Sequence, residues 1–156
     1  MRVAVTGHMN ITPDTGKLVY DRIVQVLSGY DDLIGVSCIA RGADSVFAQA
    51  IVDCGGRLEV VLPSRNYRER KVKPDHAELF DSLLARADTV HVMDFDAAGR
   101  EAYEAANAQL LIGADQLIAV WDGKVSERGG TGTVVDLARE AGVPVEIVWP
   151  EGSERD

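Results

Sequence analysis

The sequence predicts a single α/β domain, built as a doubly wound, mainly parallel sheet of about six strands with helices on both faces. Three observations carry this. Short apolar runs rich in β-branched residues alternate with amphipathic stretches almost from end to end. Strands separated by helices give parallel pairing through right-handed crossovers. With 156 residues, 46% apolar and 26% charged, the chain is of the size and composition of one domain with one proper core.

Arg2–Gly7 (RVAVTG) reads as the first strand, β-branched and closed by glycine. Asp14–Leu27 carries Leu18, Ile23, Val26 and Leu27 at helical spacing. Leu33–Ala40 is nearly all apolar, as a strand buried on both faces is. Ala43–Asp53 is helical and ends at Gly55-Gly56. Leu58–Leu62 is a third strand stopped by Pro63, and a longer connection follows. Pro74-Asp75 opens a helix that runs to about Arg86 through Leu79, Leu83 and Leu84. Thr89–Asp94 is the fourth strand, Arg100–Gly113 an alanine-rich helix and Gln116–Trp121 the fifth strand. Gly132–Ala141 is the last helix and Val143–Trp149 the sixth strand. Residues 1–150 thus form the domain, and Glu151–Asp156 a polar tail expected to fray.

The formal net charge of −9 argues against nucleic acid as a partner, because a phosphate backbone is gripped by clustered Lys and Arg. The basic run Arg65–Lys73 is scaled to one small anion or to a salt-bridged surface. Cys38 and Cys54 make no disulfide framework and read as buried free thiols. Neither they nor the scattered His8, His76 and His91 have metal-ligand spacing, so no metal or other cofactor is expected. No apolar stretch reaches the length of a membrane span and the first residues run straight into a strand, which places the protein in the cytoplasm with no membrane partner.

In parallel sheets of this kind ligands lie outside the carboxyl ends of the strands, near the point where strand order reverses. Residues just after strands are therefore the candidates. The densest motif is Arg128-Gly129-Gly130-Thr131-Gly132-Thr133, which leads from the fifth strand into a helix. Its glycines allow close backbone approach, its helix start offers N–H groups and the positive dipole end to a phosphate, and its threonines add hydroxyls. A plain capped turn needs one glycine, not three in four residues. Asp136, one turn beyond Thr133, can contact a sugar hydroxyl, assist attack at an anomeric carbon, or simply favour the helix dipole.

Thr6-Gly7-His8-Met9-Asn10 and Arg41-Gly42-Ala43-Asp44 follow the first and second strands. Gly7, His8, Arg41, Gly42 and Asp44 are candidate ligand contacts, against the plainer readings of a satisfied loop histidine and a helix cap. After the third strand, Tyr67 can stack on a base while Arg65 or Arg68 meets a phosphate, though solvated charge explains them equally. Asp94 and Asp122 end the fourth and fifth strands. Gly16-Lys17 is no P-loop: Ile11 stands where its first glycine belongs and Leu18 where Ser or Thr is required. Gly130-Thr131-Gly132 lies outside the first βα unit and Val135 replaces the third glycine, which argues against NAD.

These residues resemble the Rossmann-like superfamily of the Lonely Guy phosphoribohydrolases, the "lysine decarboxylase-like" proteins and the DprA-type domains. The resemblance covers most of the chain. It rests on Gly7, on Gly42-Ala43-Asp44, on Ala114–Val120 leading into the fifth strand, and on Gly129–Thr133, which matches GGxGTxxE with Asp136 at the glutamate. It implies a nucleoside monophosphate with its phosphate on the glycine loop, and in the hydrolases cleavage of the N-glycosidic bond by a Glu and an Arg. The sequence departs from that pattern twice. Asp136 is one methylene shorter than Glu, and Ala106-Asn107 stands where an Arg-Lys pair is usual. Other members carry Arg-Asn there, which keeps Asn107 as an expected contact.

The expectation is a nucleotide-binding protein. An N-glycosidase using Asp136 is the alternative, and a scaffold without ligand the second alternative. The resemblance also implies a homodimer or larger assembly, for which the small alanine surface of Arg100–Gly113 is the candidate contact.

Overall fold

A computed structural model describes residues 1–125 and 130–156. Its strands are β1 (Arg2–Gly7), β2 (Ile34–Ser37), β3 (Arg57–Leu62), β4 (Thr89–Val92), β5 (Gln116–Val120) and β6 (Val145–Ile147). Its helices are α1 (Pro13–Leu27), α2 (Ala43–Asp53), α3 (Tyr67–Lys71), α4 (Pro74–Ala85), α5 (Arg100–Leu111) and α6 (Thr131–Glu140). The six strands form one parallel sheet in the order β4-β3-β2-β1-β5-β6. Strand order therefore reverses between β1 and β5.

The two-residue period of the strands divides the core into two layers. Val3, Val5, Leu58, Val60, Ile118 and Val120 meet Val19, Ile23, Phe47, Ile51, Phe80 and Leu83 from α1, α2 and α4. Ala4, Val36, Val61 and Leu117 meet Ala106, Leu110, Val134 and Ala138 from α5 and α6. Helices thus cover both faces, as a doubly wound sheet requires. In α1 the Thr12 Oγ1 accepts the Thr15 N–H at 3.1 Å and Pro13 opens the first turn. Its buried stripe is Thr15, Val19, Ile23 and Leu27, whereas Leu18 faces outward.

Several elements differ from the sequence reading. The second strand stops at Ser37 rather than Ala40, because Ile39 takes φ +47° and turns the chain. The five-residue α3 lies in what reads as a plain connection. Cys54 caps α2 and is exposed, while Cys38 is half-buried. The alanine surface of α5 faces inward: Ala102 and Ala106 are buried, and Ala106 packs against the sheet. No helix among the described residues is long and apolar enough to cross a membrane.

The largest difference concerns the C-terminal residues, which do not fray. Ile11 and Arg155 form an antiparallel bridge. The Thr12 N–H bonds to the Glu154 carbonyl at 3.2 Å, and the Glu154 N–H to Thr15 Oγ1 at 2.7 Å. Asn10 and Asp156 exchange two more bonds, at 3.0 and 3.2 Å. The tail is polar, but it satisfies the backbone of the β1–α1 loop, and that fixes it as a strap.

Candidate functional site

At the reversal point the ends of β1 and β5 are tied together. The His8 N–H donates to the Val120 carbonyl at 3.1 Å, and the Asp122 N–H donates to His8 Nε2 at 3.1 Å. The His8 ring is buried and meets Trp149 edge-on, with centroids 5.5 Å apart. Burial lowers its pKa, aided by Arg155 and opposed by the Asp122 carboxylate. Although Asp122 Oδ1 stands 3.2 Å from Nε2, the ring accepts a backbone proton there, so this contact is that of a neutral histidine. Burial pushes the Asp122 carboxyl up, yet the Lys124 N–H, with help from Arg155, holds it below its ordinary value.

The start of α6 follows the end of β5. Gly130 caps it with φ +96°, a conformation that favours glycine. The Thr133 N–H closes on the Gly130 carbonyl at 3.1 Å, and the first amides of a helix have no intrahelical acceptor. Thr131 is buried, whereas Thr133 and Asp136 are exposed one turn apart. Gly132 lies against Trp121, where an added Cβ would stand 3.4 Å from the ring. Arg128 and Gly129 lie outside the described residues. Ala106 is shut in the core, and its neighbour Asn107 is half-buried on α5.

The β2–α2 loop adjoins the end of β1 for a packing reason. A Cβ on Gly7 would fall 2.4 Å from the Ala43 Cβ, and one on Gly42 would fall 2.6 Å from the His8 and Met9 carbonyl oxygens. The Ala43 N–H donates to the His8 carbonyl at 3.1 Å. These glycines let α2 dock end-on against β1. In the same loop the strained Ile39 is held by three bonds, from β2, α2 and α4. Its N–H reaches Ser37 Oγ at 3.0 Å, and its carbonyl lies 3.0 Å from His76 Nε2 and 3.3 Å from Ser45 Oγ. A β-branched residue at positive φ costs about 1–3 kcal/mol and persists where its surroundings over-determine it.

Arg41 is exposed and turned toward Asp75 at 3.4 Å. Asp44 is partly covered, and burial pushes its carboxyl up to about 7, opposed by the Ala40 N–H. Because the folded pKa exceeds the unfolded one, folding holds a proton that the unfolded chain has lost, and stability falls as pH rises from about 4 to about 7. Asp44→Asn is therefore expected to raise the melting temperature near pH 8 more than near pH 5. A variant-minus-native difference that is flat across that range would remove this assignment.

Tyr67 is not available to stack on a base. It is buried against Phe80, with ring centroids 6.2 Å apart, and lines a cavity of about 70 Å³. In the basic run, Arg65 pairs with Asp94 and Asp96, and Arg68 grips Asp81 with two bonds of 2.7 and 2.9 Å. Arg70, Lys71 and Lys73 remain exposed, with no carboxylate within 4.0 Å among the described residues. A larger open groove of about 780 Å³ lies between α1, α2 and α4, bounded by Tyr20, Arg41, Gln49 and Leu79.

The sequence singles out Gly7 and His8 after β1 and Gly129–Thr133 after β5; of the latter, Gly129 lies outside the described residues. It missed Arg155. The Arg155 guanidinium contacts Asn10 Oδ1 through Nε at 3.1 Å and Nη2 at 2.8 Å, and Nη1 stands 3.7 Å from Asp122. Its only local signal is a basic residue in a polar tail.

No protein-family model matches the chain, and no curated protein matches it in sequence. Solved structures do. DprA from Streptococcus pneumoniae aligns with a TM-score of 0.70 and 20% identity, over 97% of this chain and 51% of that one. DprA from Helicobacter pylori, described for its single-stranded DNA binding mode, aligns at 0.71 and 16%, over 100% and 68%. The Moco carrier protein of Chlamydomonas reinhardtii aligns at 0.61 and 19%, over 96% and 78%. The chain thus spans about half the length of the S. pneumoniae protein.

This corrects the expectation about nucleic acid. A net charge of −9 is a sum over the whole surface, whereas a single strand needs only a local groove with a few cations and stacking faces. A fold matched by a single-stranded DNA-binding protein does not exclude that partner. The order of the strands and the two helical layers together give this chain the Rossmann-like fold that DprA and the Moco carrier proteins share.

Proposed function

We propose that the chain binds a nucleoside monophosphate-like ligand in a crevice outside the carboxyl ends of β1 and β5, with the phosphate on the start of α6. The observation that carries this reading is the strand order. The order turns between β1 and β5; His8 follows the first and the Gly130–Thr133 helix start follows the second. Phosphate favours such a start because unpaired amides and the positive dipole end point at it.

Trp121 touches Gly132 and Trp149 touches His8, so intrinsic fluorescence reports occupancy from both sides. Titration with the common ribonucleoside monophosphates is expected to change it saturably. Gly130→Asp, which puts a carboxylate at the phosphate's approach, with no atom of the described residues within 4 Å, is expected to abolish the change while straining the fold by about 1–3 kcal/mol. Equal titration curves for variant and native protein would sink the reading.

The likeness to DprA favours a second reading, in which the same crevice takes one nucleotide of a single strand. Anisotropy of a labelled oligothymidylate, competed by nucleoside monophosphate, separates the two. Base release that disappears in Asp136→Ala would extend the first reading to an N-glycosidase, with the exposed Asp136 acting on the sugar.

A further inference from the structure

The α6 start offers amides to a phosphate, while position 106, where the resemblance places an arginine, holds a buried alanine. We propose that Arg155, carried in by the C-terminal strap, is the cation of this crevice and meets the ligand's phosphate from the side opposite α6. This rests on the reading that a phosphorylated ligand binds between β1 and β5.

The placement is specific. Among the described residues, Arg155 is the basic side chain that touches both loops of the crevice, Asn10 after β1 and Asp122 after β5. The strap runs along the α1 side of the sheet, held by Thr12 and Thr15, whereas α6 packs on the other face with α5. A ligand at the reversal point therefore lies between the guanidinium and the α6 amides. Among the described residues, two other arginines that follow strands are turned elsewhere: Arg41 faces Asp75, and Arg65 faces Asp94 and Asp96.

The guanidinium is also pre-set. A guanidinium carries five N–H donors in a rigid fork. Asn10 fixes Nε and Nη2, while Nη1 stands 3.7 Å from Asp122, beyond hydrogen-bond length. The side chain keeps 42% of its surface exposed, so its outer edge is open to an anion. Asp122 lies behind it with 10% exposed, which keeps the cation in place without covering it. The strap does not depend on this side chain, because its backbone bonds to Thr12 and Thr15 Oγ1 are independent of it.

Calorimetric titration of adenosine monophosphate and of adenosine tests this on native protein, Arg155→Gln and Arg155→Lys. A charge-assisted contact to phosphate predicts that Arg155→Gln weakens the monophosphate about tenfold or more, leaves adenosine unchanged, and is partly rescued by Lys. If the monophosphate and the nucleoside weaken by the same factor, Arg155 only braces the strap and the inference falls. Unchanged monophosphate binding in Arg155→Gln overturns it as well, with the ligand reading intact. Native protein that binds no nucleoside monophosphate in the wider titration overturns both.

Discussion

Gly42→Ala is expected to destabilise the protein by about 3 kcal/mol or more, a large share of the margin of an ordinary domain. Two causes act at once. Gly42 has φ +82°, which an L side chain rarely adopts, and its new Cβ would meet the His8 and Met9 carbonyl oxygens at 2.6 Å. Those atoms are backbone and cannot rotate away. Gly7→Ala shares the second cause, since its Cβ would fall 2.4 Å from the Ala43 Cβ and 2.8 Å from the Val120 Cβ. The measurement is the denaturant midpoint of each variant. A loss below about 1 kcal/mol at Gly42 would mean that α2 and β1 separate easily, and the docking described for them would be wrong. Because α2 docks on the residues that shape the crevice, ligand binding is expected to weaken alongside stability.

Ala106→Arg is expected to fail as a restoration of the arginine implied by the resemblance. Ala106 is 1% exposed and packs among Ala4, Val36, Leu110, Leu117 and Val134. A guanidinium there is overpacked and has no carboxylate in that cluster, and an uncompensated buried charge costs about 3–5 kcal/mol. The variant is expected to lose its cooperative melt, or most of its melting temperature, and to release no base from a nucleoside monophosphate. Asn107→Arg, one position along and half-buried, is expected to fold normally. A stable Ala106→Arg protein would show that α5 can lift from the sheet, and that position 106 can reach the crevice.

The sequence was most legible where one local rule governs a segment. The amphipathic period and proline start of α4, and the β-branched run of β1, are local, and both elements lie within a residue of where the pattern sets them. The elements it misjudged answer to neighbours distant in the chain. The second strand ends early because Ile39 is held at positive φ by Ser45 and His76. The basic run is legible as charge, but its pairing with Asp81, Asp94 and Asp96 is not, because those acids lie on other elements. Tyr67 looks like a stacking residue until Phe80 covers it.

The glycine-rich helix start is legible for the same local reason, since a run of small residues after a strand needs no tertiary partner to be recognised. By itself the sequence determined the alternation of strands and helices and the parallel class, and it named Gly129–Thr133 as a candidate phosphate seat. Only the tertiary structure decided the strand order, the packing purpose of Gly7 and Gly42, the closure of position 106, and the seat of Arg155 on Asn10. The physical reason is range. Periodicity and capping are set by residues a few positions apart, whereas Asn10 and Arg155 are separated by 145 positions and meet only after the whole sheet has formed.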